Sequence, residues 1–540
     1  MKYDLNALRG DIFGGVTATV AALPVALALG VASGTGAAAG MYGAIAVGFF
    51  AAVFGGTRTQ ISGPTAPMTV GLVVIVSSYT SNLTEALTVV VMAGLLQVLL
   101  GVSRIGRFVA YTPHVVVSGL MAGIGIIIMV IHILPFFGFP TAPGGFVGAV
   151  RATSDAIENV NYNAVAVAVV ALGVCVVWPR RLARYLPGPF LALVAGTMLG
   201  VFWLRDVPVI ARIPTGLPEL RLTVPSATLI LQSLVPALIL ALLGSVDSLR
   251  ASLVADSLTG TRHNPSRELV GQGMGNMVSG LFGGLPGAGS TTGTAVNIRA
   301  GGKTSVSSAL YAVLMLGLLL GLGRYVEQVP LAVLGGILVK VGWDVIDWRL
   351  LVRVHRLRRE HLIVLMITLG LTLSVDLVTA VAIGLIAAAM AHARQLERLE
   401  LDSVVSVPML DRTFFSEEDD IDAAAFSPDS ARVGLVALSG SLTVASSHKL
   451  AGVIGANVRK HDVVILDFSG ATYLDDSAAM VIGQLMEIAR GEQTECIVMG
   501  LSGLVPGTLY ALGILKHVPK HRIVDTRHEA RQVARSIIGL

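Results

Sequence analysis

From residue 12 to residue 393 the chain alternates between apolar runs of helical length and short polar breaks. Runs at 12–33, 38–54, 84–101, 113–134, 163–178, 188–204, 230–249, 304–323, 329–347, 361–375 and 377–393 each predict an apolar helix. Crossing about 30 Å of hydrocarbon takes about 20 apolar residues, so these runs read as membrane spans. Three further runs, 64–78, 270–281 and 290–298, are shorter or interrupted. Together they predict an all-α polytopic membrane domain of about fourteen transmembrane segments. After about residue 400 the pattern changes. Strand-like runs at 433–440, 461–470, 496–500 and 522–525 alternate with helical patterns at 444–458, 475–490, 506–515 and 527–538. That alternation predicts a small α/β domain of about 100 residues. The boundaries follow: a membrane domain over 1–395, a linker over 396–431, and an α/β domain over 432–540. The linker carries EEDDID and SPDS and reads as a mobile acidic stretch.

Two of the interrupted runs resemble each other. FGGTRTQISGPTAPMTV at 54–70 and FGGLPGAGSTTGTAVNI at 282–298 both begin Phe-Gly-Gly, pass through Gly, Pro and hydroxyls, and turn apolar again. Gly and Pro break helices. Non-helical backbone at membrane depth is tolerated only where protein buries it or where it lines a wet cavity. A pair of broken segments in corresponding halves points to a transporter binding site. With the N-terminus inside, the segment after Pro64 runs outward and the segment after Ser290 runs inward. Their helix N-termini then meet near the midplane. Each offers unpaired N–H groups and about half a positive charge. Such a pair makes an anion site without Lys or Arg. Thr65, Ser290 and Thr291 place hydroxyls there. A kink at small-residue helix contacts is the plainer reading of either segment alone.

Composition agrees with a membrane protein: 54% of residues are hydrophobic and 13% charged, against about 25% charged in soluble domains. Lys and Arg mark the cytoplasmic side. With the N-terminus inside and fourteen crossings, 17 basic residues fall inside: Lys2, Arg9, Arg58, Arg104, Arg107, Arg180, Arg181, Arg184, Arg262, Arg267, Arg299, Lys303, Arg349, Arg353, Arg356, Arg358 and Arg359. Five fall outside, namely Arg151, Arg205, Arg212, Arg221 and Arg324. Both termini are therefore expected in the cytoplasm, and the protein in the cell (plasma or inner) membrane. The polar start MKYDLNALRGD leads into a full-length apolar run, without the pattern of a cleavable signal peptide. The two cysteines, Cys175 and Cys496, suggest neither disulfide nor metal site. No nucleic-acid partner and no cofactor are expected. The run Gly301-Gly302-Lys303-Thr304 is not a phosphate loop, because Asn297 stands where the motif needs Gly. No nucleophile–base pair, metal spacing or nucleotide loop marks an enzyme.

One acid stands out. Asp247 lies near the inner end of the apolar run 230–249. An intramembrane carboxylate is a functional candidate by default. It would hold a cation or take up a proton, and so couple anion movement to a gradient. A salt bridge to Arg250 is the structural alternative. Asp256 and Glu268 read as solvated loop residues, and Asp376 as the tight external turn between two apolar runs. His114 and His132 read as packing residues. Gln272 and Asn276, four apart, share a helix face and serve either a polar interface or interhelical hydrogen bonds.

Four stretches together carry a family resemblance: RGDIFGGVTATVAALPVALALGVASG, FGGTRTQISGPTAPMTV, ELVGQGMGNMVSGLFGGLPGAGSTTGTAVNIRAGGKT and ILDFSGATYLDDSAAM. In this order they resemble the SulP family, sulfate-permease-type anion transporters with a C-terminal STAS domain. LPVALALGVASG and GLPGAGS are most similar to the BicA-type bicarbonate transporters. The resemblance implies a 7+7 inverted repeat similar to uracil permease, a core domain moving against a gate domain, and a homodimer. It implies a substrate between the third and tenth helices, which makes Thr65, Ala66, Gly289, Ser290 and Thr291 the substrate-binding candidates. It also implies sodium at an acid on the eighth helix, matched by Asp247. The hydroxyl expected one turn later is Ala251 here, with Ser248 and Ser252 on neighbouring faces, which leaves sodium and proton coupling both open. Gly293 stands where many members carry Arg, which favours a monovalent anion. In the STAS domain Asp476 stands at the position implied for regulatory phosphorylation, with Ser477 beside it; a plain helix N-cap is the alternative.

The reading is a secondary active transporter of a small inorganic anion, bicarbonate with sodium or a proton, by elevator-like alternating access. Sulfate or a dicarboxylate is the rival substrate. A passive anion channel on the same scaffold, or a membrane-anchored sensor signalling through an unknown cytoplasmic partner of the STAS domain, are the other classes.

Overall fold

Apolar runs become helices here because a backbone away from water must satisfy its own polar groups. In the computed structural model the described residues are 5–78, 82–104, 113–142, 144–179, 182, 186–204, 206–210, 220, 226–375, 377–400, 404–407, 432–443, 447–458 and 460–539. Asp376, the basic residues Lys2, Arg107, Arg180, Arg181, Arg184, Arg205, Arg212 and Arg221, and the acidic stretch 408–431 lie outside them. The chain divides into two compact units, Met1–Ala388 and Ala389–Leu540.

The first unit holds α1 (Leu5–Ala32), α2 (Ala37–Phe54), β1 (Ser62–Pro64), α3 (Ala66–Ser78), α4 (Leu83–Val102) and α5 (His114–Ile131). It continues with α6 (Gly145–Glu158), α7 (Tyr162–Val177), α8 (Gly188–Phe202), α9 (Ala227–Thr259), α10 (Pro265–Leu281) and β2 (Gly287–Gly289). α11 (Thr291–Ala300), α12 (Ser305–Val326), α13 (Leu331–Val345), α14 (Arg359–Ser374) and α15 (Leu377–Glu400), whose sequence runs past the end of the unit at Ala388, complete the helical series. Every apolar run in the sequence has its helix. α6 is an addition, an amphipathic helix that the apolar pattern does not announce. Among the described residues, five helices are each long and apolar enough to cross a membrane, and α11 and α12 form a pair bent by 111°.

Small residues let these helices approach closely, as expected where apolar lipid offers no drive to associate. The centre is α10, packed between α2 and α4. A Cβ on Gly273 would lie 2.5 Å from the carbonyl oxygen of Gly94, so that contact admits only hydrogen. Asp11, fully buried in α1, accepts hydrogen bonds from the amides of Lys303 and Thr304 at 2.7 and 3.0 Å. The tempting Gly-Gly-Lys-Thr run is thus a junction whose free amides face a carboxylate of the chain itself.

The second unit is a five-stranded sheet in the order β3 (Val404–Val407), β4 (Val433–Leu442), β5 (Val463–Leu474), β6 (Glu495–Met499), β7 (Ile523–Val524). β3 is antiparallel to β4, and the other neighbours are parallel. Val404–Val407 therefore forms an edge strand inside the stretch that composition marks as linker. Side chains alternate across a strand. Val464 and Leu466 pack against α16 (Ser447–Val458), α17 (Asp476–Gly491) and α18 (Val505–Ala511). Val463 and Ile465 pack on the other face against Ala530 and Ala534 of α19 (Arg527–Ile538).

Candidate functional site

The two broken segments are joined by hydrogen bonds. β1 and β2 form an antiparallel ladder of three pairs, Ser62 with Gly289, Gly63 with Ala288 and Pro64 with Gly287. The Ser290 amide extends it, donating to the Ile61 carbonyl at 2.8 Å. The glycines are explained by this crossing. A Cβ on Gly287 would sit 2.3 Å from the Gly63 carbonyl oxygen, and one on Gly289 would sit 2.1 Å from the Gln60 amide nitrogen. α3 leaves one end of the ladder and α11 the other. Three strand residues span about 10 Å, so the two helix starts are neighbours and the helices run apart from them. Each start leaves amides that its own helix cannot use.

The substrate-binding candidates differ in what they have left to offer. The Thr65 carbonyl accepts the first α3 hydrogen bond, from the Thr69 amide at 2.9 Å. The Thr65 Oγ1 is buried and lies against the Asp247 carboxylate. Ala66 is buried and opens α3. Ser290 caps α11, its Oγ accepting from the Gly293 amide at 3.0 Å. Thr291 is exposed at the first position of that helix. The Gly289 amide is taken, donating to Ser248 Oγ at 3.1 Å. Along α3 and α11 the first basic residue is Arg299, in the last turn of α11.

α9 supplies the neighbouring wall. Asp247 is mostly buried, its carboxylate 4.0 Å from the Arg250 guanidinium one turn on, so the structural alternative for this acid is present as a long contact. Ser248 donates to the Gly244 carbonyl at 2.6 Å while receiving the Gly289 amide. Ala251 is fully buried, and a Cβ on Gly289 would come within 2.9 Å of its methyl. Of the three coupling candidates, Asp247 faces Thr65, which follows β1, Ser248 ties α9 to β2, and Ala251 packs. Ser252 lies 2.8 Å from both Gln60 Oε1 and Thr57 Oγ1.

Behind the ladder runs a polar stripe on α10. Glu268 is not a solvated loop residue: it is 1% exposed, in the first turn of α10. One carboxylate oxygen accepts from the amides of Gly56 and Thr57 at 2.9 and 2.8 Å. The other accepts from Gln60 and Gln272 side-chain amides at 2.8 and 2.9 Å. The carboxylate is tolerated at full burial because four donors surround it. Gln272 also donates to Ser62 Oγ at 2.6 Å, on β1. Asn276 brackets Gly287 of β2, accepting from its amide at 2.7 Å and donating to its carbonyl at 2.9 Å. The shared face of Gln272 and Asn276 thus serves the ladder directly. The signal for Glu268 was its spacing, four and eight residues before these two on one helix face. It was masked by the polar sequence around it.

Asp256 also departs from the loop reading. It lies in the last turn of α9 and holds His263 at 2.6 Å through the ring nitrogen. His132 is buried, as a packing residue should be, with its Nδ1 2.6 Å from the Ile128 carbonyl. The His114 side chain is instead 68% exposed, beside Asp347 at 3.6 Å. In the second unit the cap of α17 is Asp475, whose carboxylate accepts from the Ala478 amide at 2.7 Å. Asp476 and Ser477 are exposed, so neither is needed as the cap. Among the described residues no group of three or more His, Cys, Asp or Glu could hold a metal ion.

The profile described as the sulfate permease family matches residues 8–368, and the STAS domain profile matches residues 428–530. The chain is 38% identical to the bicarbonate transporter BicA of Synechocystis sp. and 36% identical to that of Picosynechococcus sp., each match covering 100% of this chain and 96% of the relative. It is 28% identical to a putative sulfate transporter, YvdB, of Bacillus subtilis, over 98% of both chains. The solved transmembrane domain of a cyanobacterium BicA matches with a TM-score of 0.64 at 43% identity, covering 71% of this chain and 98% of that one. The fold alone also matches murine Solute Carrier 26 family member A9, with a TM-score of 0.80 at 18% identity, over 98% and 91% of the two chains.

Proposed function

The chain belongs to the sulfate permease family of membrane anion transporters with a C-terminal STAS domain, and on that premise we propose that it carries bicarbonate by secondary active transport. The anion sits at the starts of α3 and α11, held by the Ala66 and Thr291 amides and by the hydroxyls of Thr65, Ser290 and Thr291. The Gly289 position contributes closeness of backbone, its own amide being used by Ser248. Asp247 binds the coupling ion, sodium or a proton. The observation that carries this reading is the β1–β2 ladder, which sets two helix starts side by side with a buried Thr65 hydroxyl against Asp247.

Several further elements belong to the same proposal. The first unit crosses the cell membrane fourteen times as a 7+7 inverted repeat, with both termini cytoplasmic. The protein is a homodimer, and the core carrying the ladder moves against a gate in an elevator-like cycle. Asp476 and Ser477, exposed at the start of α17, form a regulatory contact for a cytoplasmic partner. Bicarbonate is favoured over sulfate by the two BicA relatives. It is also favoured by helix starts without a fixed cation, since half-charges suit a monovalent anion better than a divalent one. Sulfate is the second reading, supported by the similarity to the putative Bacillus transporter.

The test is uptake by purified protein in liposomes. Labelled bicarbonate and sulfate are compared under imposed sodium and proton gradients. Bicarbonate uptake driven by one of the two gradients is expected. In Asp247→Asn the gradient-driven component falls about tenfold or more, within the usual range of coupling energies between two ligand sites. Sulfate uptake without bicarbonate uptake removes the preferred substrate. Conduction unaffected by Asp247→Asn makes the protein a passive channel.

A further inference from the structure

Between α13 and α14 the chain reads Trp348-Arg349-Leu350-Leu351-Val352-Arg353-Val354-His355-Arg356-Leu357-Arg358-Arg359. It folds as two short helical turns, Trp348–Leu351 and Val354–Arg356, with no buried residue in either. Leu350, Leu351, Val354 and Leu357 are half-buried, while Arg349, Arg353, Arg356, Arg358 and Arg359 are all exposed. The segment therefore has an apolar side and a cationic side. Among the acids around the segment, Glu360 follows Arg359 directly in the first turn of α14, Asp344 pairs with Lys340 at 2.5 Å, and Asp347 accepts from Ser118 at 2.9 Å. Beside them the rings of Trp343 and Trp348 pack with centroids 4.2 Å apart, and the Trp348 indole donates to the Trp343 carbonyl at 2.9 Å. Both rings remain exposed, at 51% and 37%.

We propose that this segment is a binding surface for the phosphate headgroups of anionic phospholipids in the leaflet on its own side. Membrane orientation alone would account for positive charge at this loop. It would not call for five exposed guanidiniums, a half-buried apolar stripe and two packed tryptophans on the same short segment. Indole rings favour the headgroup level because one end is apolar and the other wet. Guanidinium forks match phosphate oxygens in pairs. A basic cluster directly beside a membrane helix attracts anionic lipid. Charge complementarity thus selects the lipid headgroup, and the adjoining apolar helices α13 and α14 bring the segment to it.

The test uses the full-length protein in detergent micelles. Dioleoylphosphatidylglycerol, dioleoylphosphatidylcholine and sodium phosphate are titrated separately while Tm is followed, since a ligand of the folded state raises Tm. Phosphatidylglycerol should raise Tm, and the other two should not. R353Q/R356Q, which keeps three of the arginines for orientation, should lose at least half of that rise. Native mass spectrometry of R358Q/R359Q gives a second measurement and should show fewer retained phosphatidylglycerol molecules. An equal response to phosphatidylcholine overturns the proposal. So does an equal response to free phosphate, and so does an undiminished phosphatidylglycerol response in both variants.

Discussion

Glu268 has no spare lone pair: four donors fill its two oxygens. Glu268→Gln replaces one acceptor by an NH2 group facing two donors. A buried charged acceptor lost in this way costs about 1–3 kcal/mol or more. The variant should show a lower Tm than wild type and weaker anion uptake, because the loop 55–61 and β1 lose a shared anchor. An unchanged Tm would mean that the carboxylate does not organise this loop. Cys496 offers a residue-scale test in the second unit. Burial pushes its thiol up to about 11, the Glu495 carboxylate adding to the effect and the Arg522 guanidinium opposing it. The folded state holds this proton more tightly than the unfolded chain, whose thiol titrates near 8.5. Its contribution to stability is therefore complete below about pH 8.5 and declines as pH rises toward about 11. Alkylation at pH 8 should be slow in the native protein and speed up on unfolding. Equal rates in both states would contradict this. Asp247 was visible as a lone acid in an apolar run. Glu268 was not, because its partners Gly56 and Thr57 lie more than 200 residues away in sequence.

At the scale of elements, the ladder is what turns two irregular runs into one structure. Three hydrogen-bonded pairs alone would be marginal, since a short two-stranded ribbon is barely stable. Asn276 and Gln272 on α10 hold its two strands from behind. Gly287→Val places a side chain onto the Gly63 carbonyl, so it should abolish transport while leaving the second unit folded, as read by uptake and by circular dichroism. Gly173→Ala is the control: nothing lies within 4 Å of an added methyl there. Alanine in a helix gains about 0.5–1 kcal/mol over glycine, so this variant should keep full uptake and a slightly higher Tm. The Gly/Pro punctuation announced broken helices, but local pattern could not say that the breaks pair with each other. Strand pairing is a non-local event. The amphipathic α6 was missed for a related reason, since its polar face hides it from a search for apolar runs.

The whole molecule is a membrane anion transporter joined to a STAS domain. The edge strand Val404–Val407 lies well ahead of the rest of its sheet, so the second unit begins earlier than its composition suggests. A fragment of residues 400–540 should therefore unfold at higher temperature than one of residues 432–540. Identical melting temperatures would make the strand dispensable. By itself the sequence determined the membrane class, the run of apolar helices, the two broken segments, the lone Asp247 and the α/β tail. All of these follow from residue counts and from periodicities of a few residues, which local sterics and the cost of unsatisfied backbone translate directly into structure. Only the tertiary structure decided that the breaks cross as a ladder, that the Gly289 amide is spent on Ser248, and that Glu268 is buried at the centre of the support. Those outcomes depend on which donor meets which acceptor after helices far apart in the chain have packed, and no window of sequence contains both partners.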